Sequence, residues 1–449
     1  MMRLLVELTK YLMIILMGAY TFHAFRASIK KNKRHQDRIY RMMTILLFTF
    51  HFTGYFTIYV QYPSDTLFLL YGIQVIVFIL ALNFYHIFYP GISGLLLRNM
   101  LMLLSVGFII LSRLSFNNSV RHFIMSSVSL GICIFVPIFI QKFTRLRNYG
   151  WVYGAVGLVL LIITLLVGDE KYGAKSWLNL FDIVVIQPLE FVKLLFVFCI
   201  ASLYDKEWNF KRVCMVTALA GATVLTLVLQ KDLGGALIFF ITYLFMLYGV
   251  TENSLYLLLG LGGGSAAAWI AYRLFYHVQV RVLAWKNPFN YIDKEGYQIT
   301  QSLFAIGTGG WFGMGLYQGL PKSIPVVDSD FVFAAISEEF GGLFALCLIL
   351  LYINCFIIMI NISVKLDDNF YKLLSLGFSV MFGFQTFLCI GGVIKFIPST
   401  GVTLPLISYG GSSIVSTIIM FAVIQGIYHA GNKSQLKKQS LAGGRYEEY

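Results

Sequence analysis

From His277 to Asp330 the chain reads HVQVRVLAWKNPFNYIDKEGYQITQSLFAIGTGGWFGMGLYQGLPKSIPVVDSD. Four basic residues (Arg281, Lys286, Lys294, Lys322) stand among four acidic ones (Asp293, Glu295, Asp328, Asp330). Carboxylates of this kind can take a proton from a reacting hydroxyl, and such cations can hold an anion. Seven glycines and three prolines interrupt the stretch, and no helical or strand period runs through it. A long, non-repetitive loop between two strongly apolar runs is placed for function. The plain alternative is a lid that only covers helix ends.

Four further sites carry charge where apolar residues dominate. In QPLEFVK, Glu190 and Lys193 lie three residues apart, on one helix face. Each alone costs about 2.5–3.5 kcal/mol at a membrane centre, so they either neutralise one another or face a water-filled cavity. Asp232, in the tight turn QKDLGGA, suits a helix N-cap as well as a cavity. In SDFVFAAISEEFGG, Asp330 suits an N-cap, whereas Glu338 and Glu339 lie too deep for the helix dipole to hold them. The stretch from Lys395, KFIPSTGVTLPLISYGGSS, mixes prolines, glycines and hydroxyls, among them Ser408, as irregular backbone lining a cavity would.

The elements that must position these residues are membrane helices. Of 449 residues 58% are hydrophobic and 12% charged, with a mean hydropathy of +0.77. That composition predicts an all-α, polytopic membrane protein. Thirteen spans are expected, at about 9–25, 42–60, 66–88, 97–113, 121–141, 150–167, 184–204, 212–230, 233–250, 254–275, 332–360, 371–394 and 408–430. The first is not read as a cleaved signal, because a basic cluster follows it in place of a small-residue cleavage site. That cluster (Arg26, Lys30, Lys31, Lys33, Arg34, Arg38, Arg41) places the first loop in the cytoplasm and the N-terminus outside. Alternation then puts 20 of the 34 basic residues inside with 8 of the 21 acids. Orientation thus accounts for the net charge of +13, and no nucleic-acid partner is expected. The 277–330 loop falls outside. The six cysteines sit singly in apolar runs, and the histidines show no zinc spacing, so no metal ligand set is read from them.

Six pieces, GAKSWLNL, QPLEFVK, QKDLGGA, GYQITQSLFAIGTGGWFGMGL, IPVVDSDFVFAAISEEFG and IPSTGVTLPLISYGGSS, occur in this order. Together they resemble the SEDS family (shape, elongation, division and sporulation), the membrane peptidoglycan polymerases of the FtsW, RodA and SpoVE type. The resemblance covers roughly residues 95–430. It implies an N-terminal transmembrane extension (1–94), a ten-helix glycosyltransferase core (95–431) and a cytoplasmic tail (432–449). The 277–330 loop then follows the seventh core helix on the extracytoplasmic side of the bacterial cell membrane. The implied activity joins lipid II units and releases undecaprenyl diphosphate, in division, shape or sporulation.

A loop carboxylate acting as general base on the acceptor hydroxyl belongs to that inference. So do cations or a divalent metal (Mg²⁺ or Mn²⁺) at the leaving diphosphate. The family's aspartate usually stands five positions into an NP-x-x-D pattern, and here that place is Tyr291. The expected base is therefore Asp293, two residues on, with Glu295 close by and Asp330 a third candidate behind them. Substrate-binding roles are expected for Glu190, Lys193, Asp232, Arg281, Lys286, Asp330, Glu339, Lys395 and Ser408. The resemblance also implies a class B penicillin-binding protein and other division or elongation proteins as partners. A lipid II flippase and a non-catalytic activator of the transpeptidase are the competing readings.

Overall fold

Polar residues between the apolar runs start the helices. Asn32, Ser93, Ser115, Asn209, Asp232, Asn253 and Asp368 each accept a first-turn backbone N–H through the side chain. The computed structural model describes residues 2–29, 32–171, 173–180, 184–206 and 208–443. Lys30, Lys31 and the last six residues of the tail lie outside the described residues.

Three helices open the chain: α1 (Met2–Ile29), α2 (Lys33–Gln61) and α3 (Asp65–Phe88). The core begins with α4 (Gly94–Leu114), α5 (Phe116–Cys133), α6 (Val136–Lys142) and α7 (Gly150–Val167). Next comes an antiparallel sheet of β1 (Asp169–Lys171), β2 (Ala174–Leu180) and β3 (Val184–Ile186). It is a small addition to an otherwise all-helical chain. Then follow α8 (Pro188–Tyr204), α9 (Phe210–Leu229), α10 (Leu233–Thr251) and α11 (Ser254–Leu274). Among the described residues, 12 helical stretches are long and apolar enough to cross a membrane. The 17-residue α8, which carries Glu190 and Lys193, is not one of them.

The 277–330 stretch departs from the expected irregular loop. It holds α12 (Tyr276–Lys286) and α13 (Tyr297–Gly309), joined by a short 3₁₀ turn at Pro288–Tyr291. The periods escape notice because each helix is short and glycine or proline stands between them. The span expected at 332–360 is broken into α14 (Val332–Phe340) and α15 (Gly342–Val364). Gly341 makes the break at φ +87°, where a Cβ would strike the backbone of Phe312 and Gly313. Asp330 is not a cap, since Phe331 holds that place with no side-chain cap bond. The chain ends with α16 (Asn369–Val393) and α17 (Gly411–Gly443).

The first two helices are bound to the core by buried and half-buried polar contacts. Arg98, Ser105 and Ser112, seven residues apart along α4, face α2. Arg98 Nε donates to the Tyr40 carbonyl at 3.1 Å and to Thr44 Oγ1 at 3.0 Å. His51 Nδ1 meets Ser105 Oγ at 2.8 Å, and the Tyr55 and Ser112 hydroxyls are 3.0 Å apart. Beside this row, Asn99 Nδ2 donates to Asn354 Oδ1 at 2.8 Å, and Asn354 Nδ2 donates to Ser28 Oγ at 3.0 Å.

Candidate active site

A cavity of about 390 Å³ forms where β2, the α9–α10 turn, α12, the start of α13 and the loops before α14 and α17 converge. Five charged side chains line it: Lys231, Asp232, Arg281, Glu295 and Asp330. Gly234 lets the loop before α17 come this close, because a Cβ there would collide with the Val402 side chain. Hydroxyls of Ser176, Thr403, Ser412 and Ser413 complete a polar wall, with Trp177 beside them.

Each cavity carboxylate has a distinct setting. Asp232 caps α10: its Oδ1 accepts the Gly235 N–H at 2.8 Å, and its Oδ2 accepts the Ser176 hydroxyl at 3.5 Å. Burial raises its pKa, opposed by that backbone bond and by the positive charges of Lys193 and Arg281. Asp330, at the start of α14, is pushed up to about 6 by burial, against the pull of Arg281. Glu295 is exposed at the rim. Arg281 Nη1 donates to the Ser399 carbonyl at 3.4 Å, and its charge acts on both Asp232 and Asp330. Lys231 pairs with Glu170 at 3.2 Å, an exposed contact that contributes little.

Glu190 and Lys193 do not line the cavity. They sit beneath it, satisfied by protein partners. Lys193 Nζ donates to Glu190 Oε1 at 2.7 Å and to Gln385 Oε1 at 3.0 Å. Ser416 Oγ donates to Glu190 Oε2 at 2.8 Å. Gln385 Nε2 donates in turn to the Thr403 carbonyl at 3.1 Å, and Thr403 Oγ1 meets Ser413 Oγ at 2.9 Å. Thr403 and Ser413 belong to the cavity wall, so the buried pair underpins the floor without touching what enters.

Asp232, Arg281 and Asp330 line the cavity, and several other candidate residues do not. Asp293 is exposed and is not part of the lining. The Tyr291 carbonyl accepts the N–H groups of Lys294 at 3.1 Å and Gly296 at 3.0 Å. This turn leaves Asp293 outside and brings Glu295 to the rim. Lys286 is exposed and outside the lining, and Lys395 contributes only its carbonyl, which accepts Trp285 Nε1–H at 3.1 Å. Ser408 is structural: its hydroxyl donates to the Ser329 carbonyl and accepts the Leu404 N–H at 2.9 Å. Glu339 is fully buried against Arg113, 2.8 Å away. Gln385, Ser416 and Arg113 carried no signal as isolated residues, since each matters only through a partner far off in sequence.

Among the described residues no group of three His, Cys, Asp or Glu side chains is placed to hold a metal ion. No step below is routed through a Mg²⁺ or Mn²⁺ ion.

A family model described as a cell cycle protein, FtsW/RodA/SpoVE, matches residues 92–433. The peptidoglycan glycosyltransferase RodA of Mycobacterium tuberculosis (strain ATCC 25618 / H37Rv) is 34% identical over 375 residues, covering 77% of this chain and 80% of the relative. A probable peptidoglycan glycosyltransferase FtsW of Bacillus subtilis (strain 168) is 33% identical over 307 residues, covering 63% of this chain and 75% of the relative. Among solved structures, a chain of a peptidoglycan synthase complex that coordinates polymerization and crosslinking superposes with a TM-score of 0.64 at 24% identity, covering 76% of this chain and 98% of that one. The rod shape determining protein RodA of Thermus thermophilus gives 0.55 at 24% identity, covering 76% and 97%. The family match begins at residue 92, beyond α3.

Proposed function

The chain belongs to the FtsW, RodA and SpoVE family of cell cycle proteins, and from that premise we propose that it is a peptidoglycan glycosyltransferase joining lipid II units in the 390 Å³ cavity. The observation that carries the site reading is Asp330: a half-buried, cavity-lining carboxylate whose pKa of about 6 lies close to the pH at which a base must work. Asp330 accepts the proton of the acceptor sugar's 4-hydroxyl. The oxygen then forms the bond to the donor's anomeric carbon. The anomeric bond to the diphosphate breaks, and undecaprenyl diphosphate departs with the electron pair. Arg281 and Lys231 hold its negative charge, as preorganised cations facing developing charge do. Asp232 is committed to capping α10, which leaves Asp330 as the freer base.

The same reading places the cavity on the outside of the bacterial cell membrane, with the N-terminus outside and the C-terminus in the cytoplasm. It pairs the chain with a class B penicillin-binding protein, in line with the synthase complex it superposes on. A Mg²⁺ or Mn²⁺ requirement stays a separate proposal, tested by chelation. Purified protein given lipid II tests the whole: glycan chains are expected from the wild type and from Asp293→Ala, and none from Asp330→Asn. Tyr291, standing where the family keeps its carboxylate, favours a second reading as a non-catalytic activator. A wild type that makes no chains yet stimulates its transpeptidase would support that reading.

A further inference from the structure

The three N-terminal helices lie outside the matched family region, yet two of them reach the machinery of the site. α13 and α14 pack side by side and run parallel, with Gly309 against the backbone of Ser337 and Glu338. The end of the pair nearer the cavity carries cavity residues: Glu295, Gln298 and Ile299 at the start of α13, Val326, Ser329 and Asp330 just before α14. Along its far end runs the glycine-rich segment 310–320, where the N–H groups of Met314 and Gly315 donate to the Glu338 and Glu339 carbonyls.

That far end is gripped by α1 and α2. The rings of Tyr62, at the end of α2, and Tyr317 stand 4.7 Å apart. Tyr11 of α1 meets Phe312 edge to face at 5.8 Å. Gly315 lies so near α1 that a Cβ on it would come within 3.1 Å of a Val6 methyl.

Tyr317 holds a left-handed backbone, φ 64°, a strained state that persists only where its surroundings fix it. Its N–H donates to Glu339 Oε1 at 3.1 Å, and the Arg113 guanidinium lies 4.2 Å above its ring. Arg113 also donates to Glu339 Oε1 at 2.8 Å and to the Gly319 carbonyl at 3.1 Å. Glu338 Oε1 takes the Leu320 N–H at 2.8 Å. The loop is therefore tied to α14 from within and to α1 and α2 from outside.

We infer that the N-terminal extension is a built-in positioning element for the polymerising site: α1 and α2 clamp the far end of the parallel α13–α14 pair and so hold the carboxylates at the end nearer the cavity. This rests on the function proposed above for those carboxylates. Tyr62 and Tyr11 are positioning residues, far from the reacting atoms and acting through Tyr317 and Phe312.

Full-length Tyr62→Ala and Tyr11→Ala, with Tyr62→Phe and Tyr59→Ala beside them, form the test. Amide hydrogen exchange is expected to rise about fivefold or more, both in 310–320 and in the distant segments 295–299 and 326–330, for the two alanine variants. Turnover is expected to fall by a like factor with KM unchanged. Tyr62→Phe, which keeps the ring, and Tyr59→Ala, whose side chain lines a separate cleft between α2 and α3, should match the wild type. Faster exchange confined to 310–320, or none, would overturn the inference. So would undiminished turnover in both alanine variants. Should the wild type fail to polymerise, the functional reading falls, and the exchange measurement still decides whether the clamp exists.

Discussion

Asp330 gives the site a pH signature with a definite sign. Its folded pKa, about 6, lies above the ordinary carboxylate value because burial disfavours the charge. A base must be ionised, so polymerisation should decline as pH drops through about 6. Stability runs the other way: a raised carboxyl pKa favours the fold below the ordinary value and loses that contribution as pH rises through about 6. Rates and melting temperatures across pH 5 to 8 should therefore move oppositely, at about that range where such groups titrate. An Asp330→Asn protein should lose the acidic stabilisation along with the activity. A wild-type rate flat down to pH 5 would remove Asp330 from the role. Beneath the cavity, Lys193→Met should cost roughly 3–5 kcal/mol, because it leaves the Glu190 charge buried and unpaired. Joining it to Glu190→Gln should recover much of that loss in thermal unfolding.

At the scale of elements, polar contacts decide how the added helices are held. Lipid is as apolar as leucine, so helices in a membrane are held by packing and hydrogen bonds. Asn99 joins α4 to α15 through Asn354 and accepts Tyr20 Oη–H of α1 at 3.3 Å. Asn99→Leu should lower stability by about 1–2 kcal/mol, near the upper end for such bonds, because it strands Asn354 as well. An unchanged melting temperature would show that packing alone holds the extension. The sequence told much of this scale and missed part of it. Apolar runs marked the long helices, and the tight turn offered Asp232 as a cap or a cavity residue, because both signals are local. The break at Gly341 was hidden, since its cause is the backbone of Phe312 and Gly313, about thirty residues back in the chain and invisible to periodicity. Asp293 was favoured by its distance in sequence from the customary place. Side-chain direction follows the turn closed by the Tyr291 carbonyl, and that turn selects Glu295 for the rim.

For the whole molecule, the proposed orientation rests on where the basic residues fall. The start of α2 carries Arg34, Arg38 and Arg41 against Asp37, and alternation would put the segments at Lys142–Arg147 and Lys365–Lys372 on the same side. In the proposed orientation the cavity with its five charged side chains opens on the opposite side, where lipid-linked sugars would be joined outside the cell. Cysteine labelling of intact cells checks this. The exposed Lys322 sits on the loop before α14, and Lys142 ends α6. In a background where the six native cysteines are replaced, Lys322→Cys should react with a membrane-impermeant maleimide in intact cells. Lys142→Cys should react only after the membrane is opened. The reverse pattern would turn the cavity to the cytoplasm. A polymerase facing that way would build glycan on the wrong side of the membrane, so this one result would remove the functional reading whatever the geometry of Asp330 and Arg281.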